Sequence, residues 1–385
     1  MKHAIVSLCL LVIPAIVTAQ VPRSNHVVVV VEENHSYSSV IGNSAMPYLN
    51  SLANQYGLAT QYYANTHPSI GNYFEMTTGQ IITNNDGFSS TVTADNIVRH
   101  MLTAGKTWKS YAESLPYTGY TGGDVYPYSR HHNPFSYFSD VVNSSVEKLN
   151  LVPFTHFATD LNNNALPDLS FVIPNKLDDA HDGTLAQADN WLKTHIGPLL
   201  SNAEFQKDGI LIIVFDESAD TDTAHGGGHI AMVVVGPKVK KGFKSTTFYQ
   251  HQYLLRTAME ALGISTFPGS AANVYDMRGM FVSTSTSTST STSTACTAST
   301  NGVTVCSPTS GSTVGSPAHV SAAAKSSLGS ITGMHVYVDG ISVYATNAAS
   351  INAYISMASG THSMVVQAWD ATGAVYKNSL SIKVQ

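Results

Sequence analysis

Charge is what this sequence has least of. Asp, Glu, Lys and Arg make up 11% of its 385 residues, against roughly a quarter in ordinary soluble chains. Surface polarity must then come from Ser, Thr, Asn, Gln, Tyr and the 16 histidines. The net charge is −6 and no long basic run occurs, so the cationic footprint of a nucleic-acid binder is missing and no such partner is expected. Long apolar runs are missing too. The stretch at residues 4–17 stops short of the roughly 18 residues that a membrane span requires, and no other run reaches that length, so no stable membrane span is expected. Cysteine is scarce, with three in the chain.

The short apolar stretch follows Lys2 and His3 and ends in "VTAQ". That pattern predicts a signal peptide over residues 1–19, cleaved after Ala19, and a secreted or periplasmic protein. Cys9 would leave with it. Cys296 and Cys306 remain, close in sequence, and in an oxidising compartment they predict one small-loop disulfide.

With 43% hydrophobic residues, the chain has enough for a large core and a second module. The two are separated by a strict Ser-Thr alternation over residues 283–294. It has no apolar side chains to offset its ordering entropy and reads as a linker. Before it, over residues 25–282, strand-like runs alternate with helical patterns. The runs "HVVVVVEEN", "LSFVIPN", "GILIIVFDES" and "IAMVVVGP" are continuously apolar, as strands of a parallel sheet covered on both faces are. Helical periods lie at 45–56, 93–105 and 186–202. This order predicts a doubly wound α/β domain with a mostly parallel sheet and helices on both faces. After the linker, residues 295–385 show no helical period. "MHVYVDGISVYAT" predicts a hairpin at Asp339-Gly340 and a second strand pair follows, so this part reads as a small immunoglobulin-like β-sandwich. Trp369 sits in a strand pattern and is expected in the core rather than on a sugar-binding face.

Chemistry-bearing residues follow the strands. Glu32, Glu33 and Asn34 end the first. Asn175, Asp178, Asp179, His181 and Asp182 follow the second. Asp216 and Glu217 end the third, and "HGGGHI", with His225 and His229, leads into the fourth. In an open α/β sheet the ligand crevice lies at the carboxyl ends of the strands. Oxygen donors with imidazole nitrogens suit a divalent cation such as Zn, Mn, Mg or Ca. Each piece taken alone has a plainer reading, as a strand exit, a solvated loop or a helix cap. Two acids closing an apolar strand, however, are badly placed unless paired or metal-bound. In "THPSIGNYFEMTTG", Ser69 reads both as an N-cap and as a nucleophile at a helix N-terminus, with Gly79 as the C-terminal stop.

The stretches "EENHSYSSVIG", "MPYLNSLA", "THPSIGNYFEMTTG", "RHHNPFSYF", "DDAHDGTLAQADNWL", "FDES" and "HGGGHIAMVVVGP" together resemble the bacterial phosphoesterase family of secreted acid phosphatases and phospholipases C, within the alkaline-phosphatase-like superfamily. The resemblance runs from about Val27 to Gly263 and leaves the linker and tail uncovered. It implies an alkaline-phosphatase-like fold and a metal site of Glu33, Asn34, Ser69, Asp216 and Glu217. Glu217 stands where two-zinc members have histidine, which implies a single cation. Asn72 would touch the phosphoryl oxygens, and His181 or His225 would protonate the leaving group. His132 and Asp179 are candidates for substrate contact. Gly71 stands where relatives often have proline.

The implied activity is hydrolysis of phosphate monoesters through a phosphoserine, with a phosphodiesterase or phospholipase C as the alternative. A catalytically inactive secreted binding protein is the alternative of another class. The implied partner is a phosphate ester, and the tail is a candidate for contact with a surface or polymer.

Overall fold

A computed structural model of the chain describes residues 21–282, 296–314, 318–355 and 357–384. The expected signal peptide and the Ser-Thr linker lie outside the described residues. Two compact units stand on either side of residues 283–295.

The first unit is built on eight strands: β1 (Val27–Glu32), β2 (Gly57–Ala59), β3 (Trp108–Ala112), β4 (Leu151–Pro153), β5 (Leu169–Ile173), β6 (Ile210–Phe215), β7 (Met232–Val235) and β8 (Phe243–Ser245). They form one sheet in the order β4-β3-β5-β1-β6-β7-β2-β8. Every residue of β1, β5, β6 and β7 is buried. The continuous Val/Ile/Leu runs are thus covered on both faces. β1 lies at the centre, parallel to β5 on one side and to β6 on the other, with Val27 opposite Leu169 and Ile210. The carboxyl ends of these three strands therefore share one sheet edge.

The fourth apolar run, β7, departs from the parallel expectation. It pairs antiparallel with both β6 and β2. A parallel return needs a crossover of a dozen or more residues, usually helical. Between Phe215 and Met232 lies only a loop without a helix, so the chain turns straight back. This brings the start of β7, and the Gly-rich run before it, to the edge where β1, β5 and β6 end. β2, β3, β4 and β8 have no counterpart among the apolar runs of the sequence, because they are three to five residues long and lack a β-branched run.

The second unit is all-β. Its strands are β9 (Gly302–Ser307), β10 (Thr313–Val314), β11 (Ala318–Lys325), β12 (Ile331–Val338), β13 (Ile341–Thr346), β14 (Ser350–Ile355), β15 (Gly360–Asp370) and β16 (Val375–Val384). They form two sheets, β10-β16-β15-β12-β13 and β14-β11-β9. Val320, Met334, Val336, Ile351, Met364, Val366 and Ile382 belong to one buried cluster within this unit. The β12–β13 hairpin closes at Asp339-Gly340 as expected, with φ of 50° and 84°, the left-handed pair that a tight two-residue turn requires. Cys296 and Cys306 form the expected disulfide.

Trp369 is a correction. Along β15 the buried positions are Met364, Val366, Ala368 and Asp370, and Trp369 falls on the opposite, half-exposed face, its ring 4.8 Å from that of His335. A strand alternates faces with period two, and Ala368 takes the inward position.

Candidate active site

The site forms where β1 and β6 end, against the N-terminus of the helix Ser69–Thr78. That helix ends as expected on Gly79, in a left-handed conformation with φ 64°. Its start differs from expectation. Pro68 occupies the N-cap and Ser69 is the first helical residue, with no side-chain capping bond. The capping is done from elsewhere, by Asp86 Oδ1, which accepts the Ile70 N–H at 3.2 Å. The Ser69 hydroxyl is thereby left for other contacts, and all of them are oxygens of the strand-end residues.

Ser69 Oγ lies 3.2 Å from Glu33 Oε2, 3.4 Å from Asn34 Oδ1 and 3.4 Å from Glu217 Oε1. One hydroxyl has one proton and can satisfy one of these acceptors. Asn34 sharpens the conflict. Its Oδ1 faces only acceptors, and turning the amide over would let its nitrogen donate to Glu33 Oε2 at 3.0 Å and Asp216 Oδ1 at 3.2 Å. An amide oxygen among carboxylate oxygens is the orientation that a cation favours.

The carboxyl groups are deeply buried. Glu33 and Asp216 are 0% exposed and Asp179 is 1% exposed. Asp216 Oδ1 accepts the N–H groups of Glu217 (2.6 Å) and Asn34 (3.3 Å), while Asp216 Oδ2 and Asp179 Oδ2 have no hydrogen-bond partner. Burial raises all four acids. Glu33 is pushed well above the usual carboxyl range by desolvation and then by Asp216 and Asp179. Burial raises Asp179 likewise. Asp216 is raised to about 6 by burial, and Glu217 to about 10 by burial and then by Asp216. Buried carboxyls with unpartnered oxygens need protons or a cation. Oxygens about 2.1 Å from a small divalent cation stand roughly 3.0–3.4 Å apart, the spacing around Ser69 Oγ. The donor set of Glu33, Asn34, Ser69, Asp216 and Glu217 therefore fits a divalent cation.

Other predicted residues fall into place differently. Asn72 is fully buried and its amide is engaged. Its Oδ1 accepts the N–H groups of Asn65 and Thr66 at 3.0 and 3.2 Å, and its Nδ2 donates to Thr66 O at 2.8 Å and Glu217 Oε2 at 3.3 Å. It ties the segment leading to Ser69 to the β6 exit. His132 is 1% exposed and stacks on Tyr73 at 5.2 Å. Its Nδ1 stands 3.4 Å from Glu33 Oε1 and 3.6 Å from Asp179 Oδ2, and burial holds it neutral. Tyr73 donates a short hydrogen bond to Glu33 Oε1. Asp179 accepts the Glu33 N–H on its carbonyl and the His181 N–H on Oδ1, both at 2.8 Å. His181 is partly exposed, with Nδ1 2.7 Å from Asp182 Oδ1. One ligand atom each from Glu33, His132 and His181 lie within 4.8 Å of one another.

His225 is not brought to this cluster. It is exposed, has φ 55°, and packs its ring on Tyr63 and Phe248 at 4.4 and 4.9 Å. His229 stacks between Tyr37 and Tyr63 and reaches Thr60 O. The run between these histidines acts through its backbone. A Cβ on Gly226 (φ 111°) would stand 2.0 Å from Asn65 O, and one on Gly227 would stand 2.4 Å from Thr66 O. The run lies directly against the segment that carries Ser69.

Two further histidines, to which the sequence alone assigns no role, reach the site. His251 opens the helix His251–Ala261 and is fully buried. Its Nε2 is 2.6 Å from the Asp216 carbonyl and its Nδ1 3.2 Å from Tyr62 Oη. Burial lowers its pKa to about 4, so the neutral ring pins the peptide between Asp216 and Glu217. It lies far from the strand-end motifs in sequence, and no local signal marks it. His67, two residues before Ser69, places Nδ1 3.1 Å from Glu217 Oε2. Its position two residues before Ser69 is the one available signal.

Comparison with known proteins places the two units in known families. The model of the phosphoesterase family matches residues 43–265, and that of a bacterial Ig domain matches residues 302–366. A phosphatidylinositol-3-phosphatase of Mycobacterium tuberculosis is 35% identical over 245 residues, 63% of this chain and 78% of that protein. A probable acid phosphatase of Kluyveromyces lactis is 34% identical over 57% of this chain, and an acid phosphatase of Aspergillus fumigatus 32% identical over 60%. The chain spans about half the length of each fungal relative, 53% in both cases. Among solved structures, an alkaline phosphatase superfamily protein from Vibrio parahaemolyticus is 14% identical, with a TM-score of 0.45 over 66% of this chain and 72% of that one.

Proposed function

This chain belongs to the phosphoesterase family and is a hydrolase of phosphoric ester bonds, and from that premise we propose that it is an exported, metal-dependent phosphomonoesterase with Ser69 as nucleophile. The observation that carries the reading is the convergence of Glu33, Asn34 and Glu217 oxygens within 3.2–3.4 Å of Ser69 Oγ at a helix N-terminus. The monoester preference is supported by relatives named phosphatidylinositol-3-phosphatase and acid phosphatase. Export rests on the N-terminal sequence pattern. No helix among the described residues is long and apolar enough to cross a membrane.

A divalent cation held by Glu33, Asn34, Ser69, Asp216 and Glu217 would lower the pKa of the serine hydroxyl and shield the anionic substrate. Ser69 Oγ attacks phosphorus, its proton passing to Glu33 Oε2, the nearest acceptor. The P–O bond to the leaving group breaks as the Ser69 O–P bond forms. The helix N-terminus favours the anionic phosphoryl group lying against it. His181, oriented through Nδ1 by Asp182, gives the leaving alkoxide its proton and then takes one from the water that cleaves the phosphoserine, while Glu33 returns its proton to Ser69 Oγ as the Ser69 O–P bond breaks. Asn72 holds the 65–66 segment and Glu217 in register beside Ser69.

Hydrolysis of a chromogenic phosphate monoester and its matching diester tests the reading. Turnover should favour the monoester, stop with chelator, return with added divalent cation, and fall by at least ~10³-fold in Ser69→Ala, the scale at which such nucleophiles act. A Ser69→Ala variant with full activity contradicts the mechanism, and diester preference moves the substrate class to phosphodiesters.

A further inference from the structure

We propose that the loop following β6 carries a second divalent-cation site, formed by His67 Nδ1, Glu217 Oε2 and the Asp220 carboxylate and joined to the Ser69 site through the two oxygens of Glu217. The three ligand atoms lie within 4.8 Å of one another. The strongest observation is the tautomer of His67. Its Nε2 is 3.0 Å from the Asp222 carbonyl oxygen, which can only accept, so Nε2 carries the hydrogen. In the neutral ring Nδ1 then presents a lone pair. That nitrogen is buried without a hydrogen-bond partner, yet it stands 3.1 Å from Glu217 Oε2. Two acceptors held face to face require a proton or a cation between them, and the Asp220 carboxylate beside the pair completes a set that suits a cation.

The geometry suits a metal ion. A histidine whose second nitrogen donates to a backbone carbonyl is the usual form of a metal-ligating imidazole, because that bond fixes tautomer and ring orientation. Ligands about 2.0–2.1 Å from Zn²⁺ stand roughly 3.0–3.4 Å apart, and the His67–Glu217 pair falls in that interval. A nitrogen with two carboxylate oxygens is a donor set for Zn²⁺ or a similar borderline ion. Asp220 is exposed, so water can complete the coordination. The loop is held by the Asp222 carbonyl, which also accepts from Ser218 Oγ at 2.8 Å. Glu217 Oε1 meanwhile faces Ser69, so one carboxylate serves both centres.

This site is additional to the cation at Ser69, and metal counting separates the two. Full-length chain stripped with chelator would be dialysed against Zn²⁺ and its metal counted, then titrated with Co²⁺ and read by visible absorption. The variants are His67→Ala, Asp220→Asn, whose exposed position leaves the fold undisturbed, and Asp216→Asn. Wild type should bind two equivalents. His67→Ala and Asp220→Asn should each lose one, or weaken it at least tenfold, and His67→Ala should lose the absorption of the histidine-bound Co²⁺. Asp216→Asn should lose the other. Binding by His67→Ala and Asp220→Asn equal to wild type in number and affinity overturns the proposal and leaves a shared proton between His67 and Glu217. A single equivalent removed by His67→Ala but not by Asp216→Asn upholds it and overturns the oxygen site at Ser69. A single equivalent with the reverse pattern overturns it and leaves that oxygen site standing.

Discussion

Ser69 lies among more negative oxygen than its hydroxyl can serve, and the side chains around it show the cost. Glu33, Asp179, Asp216 and Glu217 are all raised, burial being the first cause for each. A carboxyl raised in the folded state contributes stability below its unfolded pKa and loses it as pH climbs through the folded value. For Asp216 that window opens near an unfolded value of about 4 and closes at about 6. For Glu217 it extends to about 10. Chelated protein should therefore melt at progressively lower temperature from about pH 5 to about pH 9. A saturating divalent cation should raise the melting temperature most at the alkaline end. A melting temperature independent of pH in chelator would mean that these carboxyls carry no burden in the folded chain. The residues that fix this cluster were unevenly legible. Glu33, Asn34, Asp216 and Glu217 could be read because acids that close an apolar strand need a counter-charge or a ligand beside them. His251 could not, because its contact with the Asp216 carbonyl depends on a helix 35 residues downstream.

At the scale of elements, the site depends on three strands ending together and one loop passing close. β1, β5 and β6 were legible as continuous apolar runs, and their parallel pairing brings the ends to one edge. The direction of β7 was not legible, since a period-free apolar run looks the same in either orientation. What decides it is the loop without a helix before it. That loop also accounts for the glycines. Gly226 has φ 111° and no room for a Cβ beside Asn65 O. Gly226→Ala should cost on the order of 3 kcal/mol, from a left-handed backbone and an overpacked contact together. It should also lower kcat, because the segment displaced is the one leading to Ser69. Urea denaturation and steady-state kinetics on the same sample check both effects, and wild-type stability with wild-type kcat would show that the close approach is dispensable. The N-terminus of the Ser69 helix carries a similar lesson. A serine at a helix start reads as a cap, yet Asp86, further along the chain, does the capping through Ile70 and leaves the serine hydroxyl to the strand-end oxygens.

The whole chain is a phosphoesterase unit followed by a β-sandwich, each with its own buried cluster. The disulfide and the Asp339-Gly340 hairpin of the sandwich were legible because their signals are local. The side on which Trp369 falls was not, since it depends on where β15 places Ala368. In the larger unit the ends of β1 and β6 meet the helix start at one oxygen atom, Ser69 Oγ, and the Gly-rich loop packs on the segment before it. The most direct test of its role is to mix full-length protein with a phosphate monoester, quench in acid within one turnover, and map phosphopeptides by mass spectrometry. Phosphate should appear on Ser69 with divalent cation present and be absent with chelator. A burst of product with no phosphate on Ser69, or with phosphate on another residue, would contradict that role.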